Sequence, residues 1–258
     1  MKPAKILKKK IQSNELTLGS WISLGHPAIA EIMANAGFDW LVVDLEHSVI
    51  NIEMAGDLIR TIDLSGVSPL VRLTSNDSDQ IKRVMDAGAH GIIVPMVNSP
   101  AQAIKAVAAT RYAPRGTRGV GLGRAQDYGV GFSDYLQWQT DGPVVLVQIE
   151  HIDALEALED ILTVTGVDGF IIGPYDLSCS MGIPGQFEND EFIGVVKHIR
   201  KTGQQLGCAV GLHIVEPDLY KLEQTIDEGY NFIAYSVDIR LLDTGVRQGI
   251  AKVKEIQG

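Results

Sequence analysis

Carboxylates follow two of the most apolar runs in this sequence. Residues 144–149 read Val-Val-Leu-Val-Gln-Ile and are followed at once by Glu150. A second apolar run at 169–172 is followed by Gly-Pro-Tyr and then by Asp176. Such runs are typical of strands buried on both faces of a parallel sheet. Because a buried carboxylate without a partner costs several kcal/mol or more, the pair predicts a divalent cation shared with water or substrate oxygens.

A simpler interpretation of the same carboxylates remains open at this point. Glu150 would cap a helix that begins near Ile152, and Asp176 would only stabilise its own turn. We favour the metal site, because both carboxylates come directly after a predicted buried strand.

Strand-like and helix-like segments alternate along the whole chain. Predicted strands cover 17–24, 40–45, 69–73, 91–97, 144–150, 169–172, 208–212 and 232–237. Predicted helices cover 27–36, 51–62, 79–87, 100–110, 153–162, 188–202, 216–228 and 241–256, after a basic amphipathic start, and 111–142 is expected to be irregular. Eight such units in 258 residues match a single (β/α)8 TIM barrel, of class α/β, spanning 1–258. An open doubly wound sheet is the competitor, and the even spacing disfavours it.

In parallel barrels the active site lies at the carboxyl ends of the strands. The residues expected there are His47, Arg72, Pro95, Glu150, Asp176, His213 and Asp238. They include an acid–base candidate, a cation and two carboxylates suited to a metal. All lysines fall on predicted helices or near the N-terminus, so no Schiff-base lysine is predicted.

Composition narrows the class of protein. The net charge is −10 and Lys8–Lys10 is the only basic run, which argues against a nucleic-acid partner. The sequence has two cysteines, which argues against a disulfide framework and suits a reducing cytosol. It has no apolar stretch of about 18 residues, so we expect a cytoplasmic protein without membrane spans. The glycines of 119–123 follow no strand and lack the last glycine of a dinucleotide loop, so no nucleotide cofactor is predicted.

Several motifs, taken together and in order, resemble one known family. They are the segments 40–47, 69–72, 94–97, 111–119, 148–150 and 173–178. This ordered set is similar to the HpcH/HpaI aldolase family of class II, pyruvate-dependent aldolases. The resemblance implies a phosphoenolpyruvate/pyruvate-type barrel that assembles as a homohexamer from dimers exchanging their last helix.

The resemblance also implies a ligand set for the metal and the substrate. Glu150 and Asp176 would hold Mg²⁺, Mn²⁺ or Co²⁺. Gln148 would lie beside the keto acid, and the backbone N–H groups of Tyr175 and Asp176 would receive its carboxylate. Asp44 would contribute toward the site of a neighbouring subunit. Tyr175 is bulkier than the family usually carries there, which bears on the choice of acceptor.

By the same resemblance, His47 is the catalytic base, Asp86 is its partner carboxylate, and Arg72 contacts the developing enolate oxygen. The implied reaction is the reversible cleavage of a 4-hydroxy-2-keto acid to pyruvate and an aldehyde. Taken singly, His47 is also consistent with a capping or core imidazole. Arg72 alone is consistent with an ion pair across the barrel mouth.

Two alternative functions are carried forward. One is a CoA-ester lyase of the citrate lyase β-subunit type, acting on malyl- or citramalyl-CoA, although no clear basic groove for a CoA tail is visible in the sequence. The other is a keto-acid-binding protein without catalysis.

Overall fold

The computed structural model describes residues 3–257, and eight parallel strands in it close into a barrel in sequence order, with β8 returning to β1. The strands are β1 (Thr17–Ile22), β2 (Trp40–Asp44), β3 (Ser68–Arg72), β4 (Gly91–Val94), β5 (Val144–Ile149), β6 (Gly169–Ile172), β7 (Ala209–Ile214) and β8 (Phe232–Val237). The predicted α/β barrel class is confirmed. No helix among the described residues is both long and apolar enough to cross a membrane.

Helices surround the barrel, and the N-terminal helix covers the end at which the strands begin, which we call the lower end; the strands finish at the upper end. The helices are α1 (Pro3–Gln12), α2 (Pro27–Asn35), α3 (Ile52–Leu64), α4 (Ser78–Asp86), α5 (Pro100–Thr110), α6 (Phe132–Trp138), α7 (Leu158–Leu162), α8 (Pro174–Ser180), α9 (Asp190–Leu206), α10 (Leu219–Asp227) and α11 (Asp238–Gln257). Side-chain caps begin several of them as the sequence suggests, among them Asn51, Asp77 and Ser99.

Several predicted segments differ from the observed elements. The strand predicted over 91–97 ends at Val94, and helix α8 was not predicted. Helix α9 runs to Leu206, four residues beyond the prediction, because Gly203 is accommodated inside the helix and Gly207, at φ +68°, makes the left-handed C-cap. The region 111–142 is not irregular throughout, since it contains a 3-10 turn at Arg124–Gly129 and helix α6. The predicted helix 153–162 is a 3-10 turn at Ile152–Ala157 followed by α7.

The inside of the barrel is filled by side chains, so it is a core and not a channel. Trp40 and Phe232 stack at 4.1 Å between ring centroids and are fully buried. Gly19 leaves the space for this stack, since a Cβ there would lie 2.1 Å from the Trp40 ring. From α1, Leu7 and Ile11 join the same cluster. The core is therefore continuous from the lower end upward, and polar residues gather at the opposite end.

Candidate active site

Arg72, the last residue of β3, is held rigidly at the upper end of the barrel. Its Nε donates to Asp44 Oδ1 at 2.9 Å and its second terminal nitrogen pairs with Asp44 Oδ2 at 2.6 Å. The guanidinium also lies 4.3 Å from the Trp21 ring centroid. Burial alone would raise the pKa of Asp44, but Arg72 and the N–H groups of Glu46 and His47 hold it below its ordinary value. The ion pair considered for Arg72 is thus present, within one chain.

Glu46 lies between Arg72 and His47. Its Oε2 is 3.3 Å from an Arg72 terminal nitrogen and 3.8 Å from His47 Nε2, and it has no hydrogen-bond partner within residues 3–257. Burial raises the pKa of Glu46 to about 7; Arg72 opposes this rise, while Glu150, Asp44 and Asp176 add to it. The imidazole of His47 is exposed, so His47 is not a core residue, and the helix that follows is capped by Asn51.

Glu150 is almost fully buried just past the end of β5. One carboxylate oxygen accepts from Met96 N at 2.7 Å, and the other accepts from the Gln148 amide. Burial raises the pKa of Glu150, Asp176 raises it further, and these two donors oppose the rise. The following turn is capped by His151, which accepts from Asp153 N, so Glu150 is not the helix cap.

Helix α8 brings Asp176 to the same place. Gly173, its N-cap residue, lies so close to Glu150 that a Cβ would meet the Glu150 Oε2 at 2.6 Å. No side chain caps this helix, so the first-turn N–H groups of Tyr175 and Asp176 remain available as donors. The Asp176 carboxylate is exposed, and it raises the pKa of both Glu150 and Glu46, which shows that the three carboxylates share one region.

These residues fit a divalent cation. Glu150 is a buried carboxylate whose charged form lacks a cation of its own, and Gln148 Oε1 is buried without a hydrogen-bond partner among residues 3–257. With Asp176 they offer hard oxygen donors of the kind that Mg²⁺ and Mn²⁺ prefer. Within the described chain no group of three His, Cys, Asp or Glu side chains forms a complete cage, as expected for a site completed by water or substrate.

Asp86 lies elsewhere. It is the last residue of α4, and this helix runs from the upper end of the barrel back to the start of β4, so Asp86 is at the opposite end from His47. Its carboxylate pairs with Arg118 at 2.5 Å. Asp86 and His47 therefore do not meet within this chain, and the pairing of the two residues stays a prediction.

Two other predicted rim residues serve the framework. Burial lowers the pKa of His213 to about 4, and its ring packs 5.3 Å from Trp21. Asp238 accepts from the N–H groups of Ser23 and Leu24, which ties the start of α11 to the end of β1. Neither residue presents a free group to the carboxylate cluster.

Three residues near the site were missed in the sequence. Glu46 was visible in the strand-end motif, between the chosen residues Asp44 and His47, and its position two residues after Asp44 was the available signal. Trp21 lies beneath Arg72, but an apolar residue inside a strand gives no such sign. Met96 has φ +53°, a backbone conformation that only the three-dimensional structure reveals.

The chain is similar to known proteins along nearly its whole length. Residues 17–244 match the family model described as HpcH/HpaI aldolase/citrate lyase. A hydroxypyruvate/pyruvate aldolase of Cupriavidus necator is 35% identical over 96% of this chain and 92% of its own length. A 2-keto-3-deoxy-L-rhamnonate aldolase of Escherichia coli K12 is 34% identical with the same coverage of both chains. The crystal structure of a family protein from Burkholderia cenocepacia superposes with TM-score 0.91 at 32% identity, over 96% of this chain and 99% of that one. The predicted family is therefore confirmed, and this chain belongs to the HpcH/HpaI aldolase/citrate lyase family.

Proposed function

We propose that this protein is a divalent-metal-dependent aldolase that reversibly cleaves a 4-hydroxy-2-keto acid to pyruvate and an aldehyde. The observation that carries the proposal is the cluster of Glu46, Glu150 and Asp176 beside the Asp44–Arg72 pair at one barrel end. Relatives named as aldolases, at 34–35% identity over nearly the whole chain, support the same reaction class.

Glu150 and Asp176 would hold the cation, with Gln148 beside them. When bound, a divalent cation withdraws charge from the keto acid and stabilises the enolate that forms on proton removal. The family resemblance suggests the ion as Mg²⁺, Mn²⁺ or Co²⁺. The open N–H groups of Tyr175 and Asp176 would bind the substrate carboxylate, because the start of a helix favours an anion.

Arg72 would stabilise the negative oxygen of the enolate. Its bidentate contact with Asp44 fixes the guanidinium before substrate arrives, so little reorganisation is needed when charge develops. His47 would take the proton, either from the methyl group of pyruvate or, in the cleavage direction, from the C4 hydroxyl. Its exposure leaves the imidazole free to reach a substrate placed over Arg72.

The acceptor aldehyde would be selected near Tyr175. This ring is 55% exposed and meets Phe187 edge-on at 4.9 Å between centroids. The two relatives carry different substrate names, so similarity does not identify the acceptor. A panel of aldehydes with pyruvate would rank the acceptors directly.

The assembly would be a homo-oligomer, which we propose to be a hexamer. Helix α11 exposes one apolar stripe along 20 residues, made of Ile239, Leu242, Val246, Ile250, Val253 and Ile256. A stripe at this spacing is typical of a helix that packs on a partner, which supports exchange of α11 between copies. We expect Val246→Asp with Ile250→Asp to reduce the mass measured by sedimentation, and unchanged mass would contradict the exchange.

The metal proposal is tested with Glu150→Gln and Asp176→Asn. We expect each change to weaken Mn²⁺ binding, followed by electron paramagnetic resonance, by more than about 100-fold, since losing even a group that only orients a ligand costs about 10–100-fold. Aldol cleavage and metal-dependent deuterium exchange at the pyruvate methyl should fall with it. Glu159→Gln, an exposed change on α7, is the matched control.

Three results would contradict the proposal. Full activity of either variant in chelator-treated protein would remove the metal from the reaction. Bound pyruvate without deuterium exchange in the wild type would indicate a keto-acid-binding protein. Cleavage of malyl- or citramalyl-CoA without cleavage of any 4-hydroxy-2-keto acid would indicate the lyase branch of the family.

A further inference from the structure

A second cleft lies at the opposite end of the barrel from the carboxylate cluster. It has a volume of about 690 Å³ and is bounded by α1, the end of α5 and the segment 164–168 that leads into β6. Volumes of 300–1,000 Å³ are usual for small-molecule sites. Its walls come from α1, the second half of α5 and residues that precede β5 and β6. None of the proposed catalytic residues lies in these segments.

Arg111 is the unusual residue of this cleft. Only 7% of it is exposed, and its Nε is buried without a hydrogen-bond partner within residues 3–257. The guanidinium lies against Gly166, where a Cβ would be 2.5 Å from one of its terminal nitrogens. Gly166 has φ +101°, so the position both suits glycine and leaves room for the guanidinium.

The acidic residues of the cleft are already paired with other cations. Asp168 binds Lys8 Nζ at 2.6 Å, and both side chains are nearly buried. Asp141 pairs with Arg115 at 3.2 Å on the exposed rim. The lining of the cleft therefore carries three cations, Lys8, Arg111 and Arg115, against these two carboxylates, which leaves one positive charge in excess. Arg111 lies close enough to Asp168 to oppose the rise of the Asp168 pKa that burial causes, but within residues 3–257 the two side chains form no hydrogen bond. A buried charge without a partner is costly, and a guanidinium presents a planar fork that matches a carboxylate.

The rest of the cleft wall is largely apolar, with Gln12 and Thr165 as its uncharged polar residues. Ile104, Val107, Val164 and Val167 line it beside Arg111. An inorganic anion would satisfy the charge but would leave these side chains facing solvent. A carboxylate attached to an apolar body would satisfy both.

We propose that this cleft is a second binding site, specific for a small organic monocarboxylate. The carboxylate pairs with the Arg111 guanidinium, and the apolar body lies against Val107 and Val164. The site is independent of the aldolase proposal, because it shares no residue with the upper end of the barrel.

The test compares benzoate with benzamide, which has the same shape and no charge. Methyl-labelled protein is titrated with each compound, and the methyl resonances of Ile104, Val107 and Val164 are followed by NMR, so that binding at the other barrel end is not counted. We expect saturable benzoate shifts and at least about tenfold weaker binding of benzamide, as for loss of a charge-assisted hydrogen bond. A crystal soaked with 4-bromobenzoate should show anomalous bromine density in the cleft.

Variants of the arginine complete the experiment. Arg111→Gln should abolish the benzoate shifts, and Arg111→Lys should retain part of them. Arg60→Gln removes an exposed arginine that pairs with Asp57 on α3, and it should bind benzoate as the wild type does.

The comparison of benzoate with benzamide binding in the wild-type protein tests the proposal even if Arg111→Gln fails to fold. Equal binding of benzamide, or no shift of the cleft methyls with either compound, would overturn the proposal. So would a carboxylate from a second copy seated on Arg111, detected as a changed oligomeric mass in Arg111→Lys, since the charge would then belong to an interface.

Discussion

Replacing Glu46 with glutamine tests the electrostatics of the carboxylate cluster without reference to turnover. The side chain of Glu46 is only 15% exposed, and Arg72 is its one close cation. Burial, with Glu150, Asp44 and Asp176 adding to it, raises the pKa of Glu46 from 4.5 to about 7. Glutamine keeps the shape and removes the charge, so the variant isolates the free energy of ionising this group in the folded protein.

The size and sign of the effect follow from that rise. The folded protein keeps the Glu46 proton up to about pH 7, whereas the unfolded chain releases it near pH 4.5. Between these values the folded state binds more protons, so this group's contribution to stability falls as pH increases. At 1.36 kcal/mol per pH unit the full penalty, present above pH 7, has a ceiling of about 3 kcal/mol. Loss of the Arg72 contact offsets part of the gain, so we expect Glu46→Gln to gain roughly 1–3 kcal/mol at pH 8 and nothing at pH 4.5.

Thermal unfolding of chelator-treated protein at fixed concentration measures the difference. For a chain of this size, 1 kcal/mol corresponds to about 2–4 °C in Tm. The variant should therefore gain several degrees over wild type at pH 8 and lose that advantage by pH 4.5. Glu31→Gln, an exposed change on α2, should show no such pH dependence. An equal shift at both pH values, or destabilisation at pH 8, would refute the account of Glu46.

Two further substitutions test the framework and the cation. Lys8→Met leaves the Asp168 carboxylate buried without the ammonium that binds it, and we expect the free energy of unfolding to fall by about 3–5 kcal/mol in thermal unfolding. Lys9→Met, at an exposed position of α1, is the control. A loss as small as that of the control would contradict the role of the Lys8–Asp168 pair. Arg72→Lys cannot reproduce the fork on Asp44, so we expect kcat/KM for pyruvate formation to fall about 10²–10³-fold, and unchanged kcat/KM would exclude Arg72 from the reaction.

Much of the fold was predictable, because the barrel strands can be recognised in the sequence as short runs of apolar residues. The run 144–149 is apolar at almost every position since both faces of β5 are buried, one by the barrel interior and the other by the helices. The closing of the sheet into a barrel was predicted from eight evenly spaced strand–helix units. The end of β4 was not predictable, because Met96 adopts a left-handed backbone conformation, in which its N–H donates to Glu150.

The site was predictable to the extent that it depends on position along a strand. Arg72 ends β3, Glu150 follows β5 and Asp176 comes shortly after β6, and parallel strands end on one side of a barrel. Pairings between side chains could not be predicted from the sequence, since they depend on side-chain rotamers and on distances in the folded chain. The partner of Arg72 is Asp44, and the partner of Asp86 is Arg118; neither follows from spacing.

The two ends of this barrel carry unbalanced charges of opposite sign. At the upper end Arg72, bound by Asp44 and 3.3 Å from Glu46, is one cation beside the four carboxylates of Asp44, Glu46, Glu150 and Asp176. At the lower end Lys8, Arg111 and Arg115 face the carboxylates of Asp141 and Asp168, so the described lining of the cleft has one positive charge in excess. Because a folded chain gains nothing from a buried charge without a partner, each imbalance indicates a ligand, a cation above and a carboxylate below.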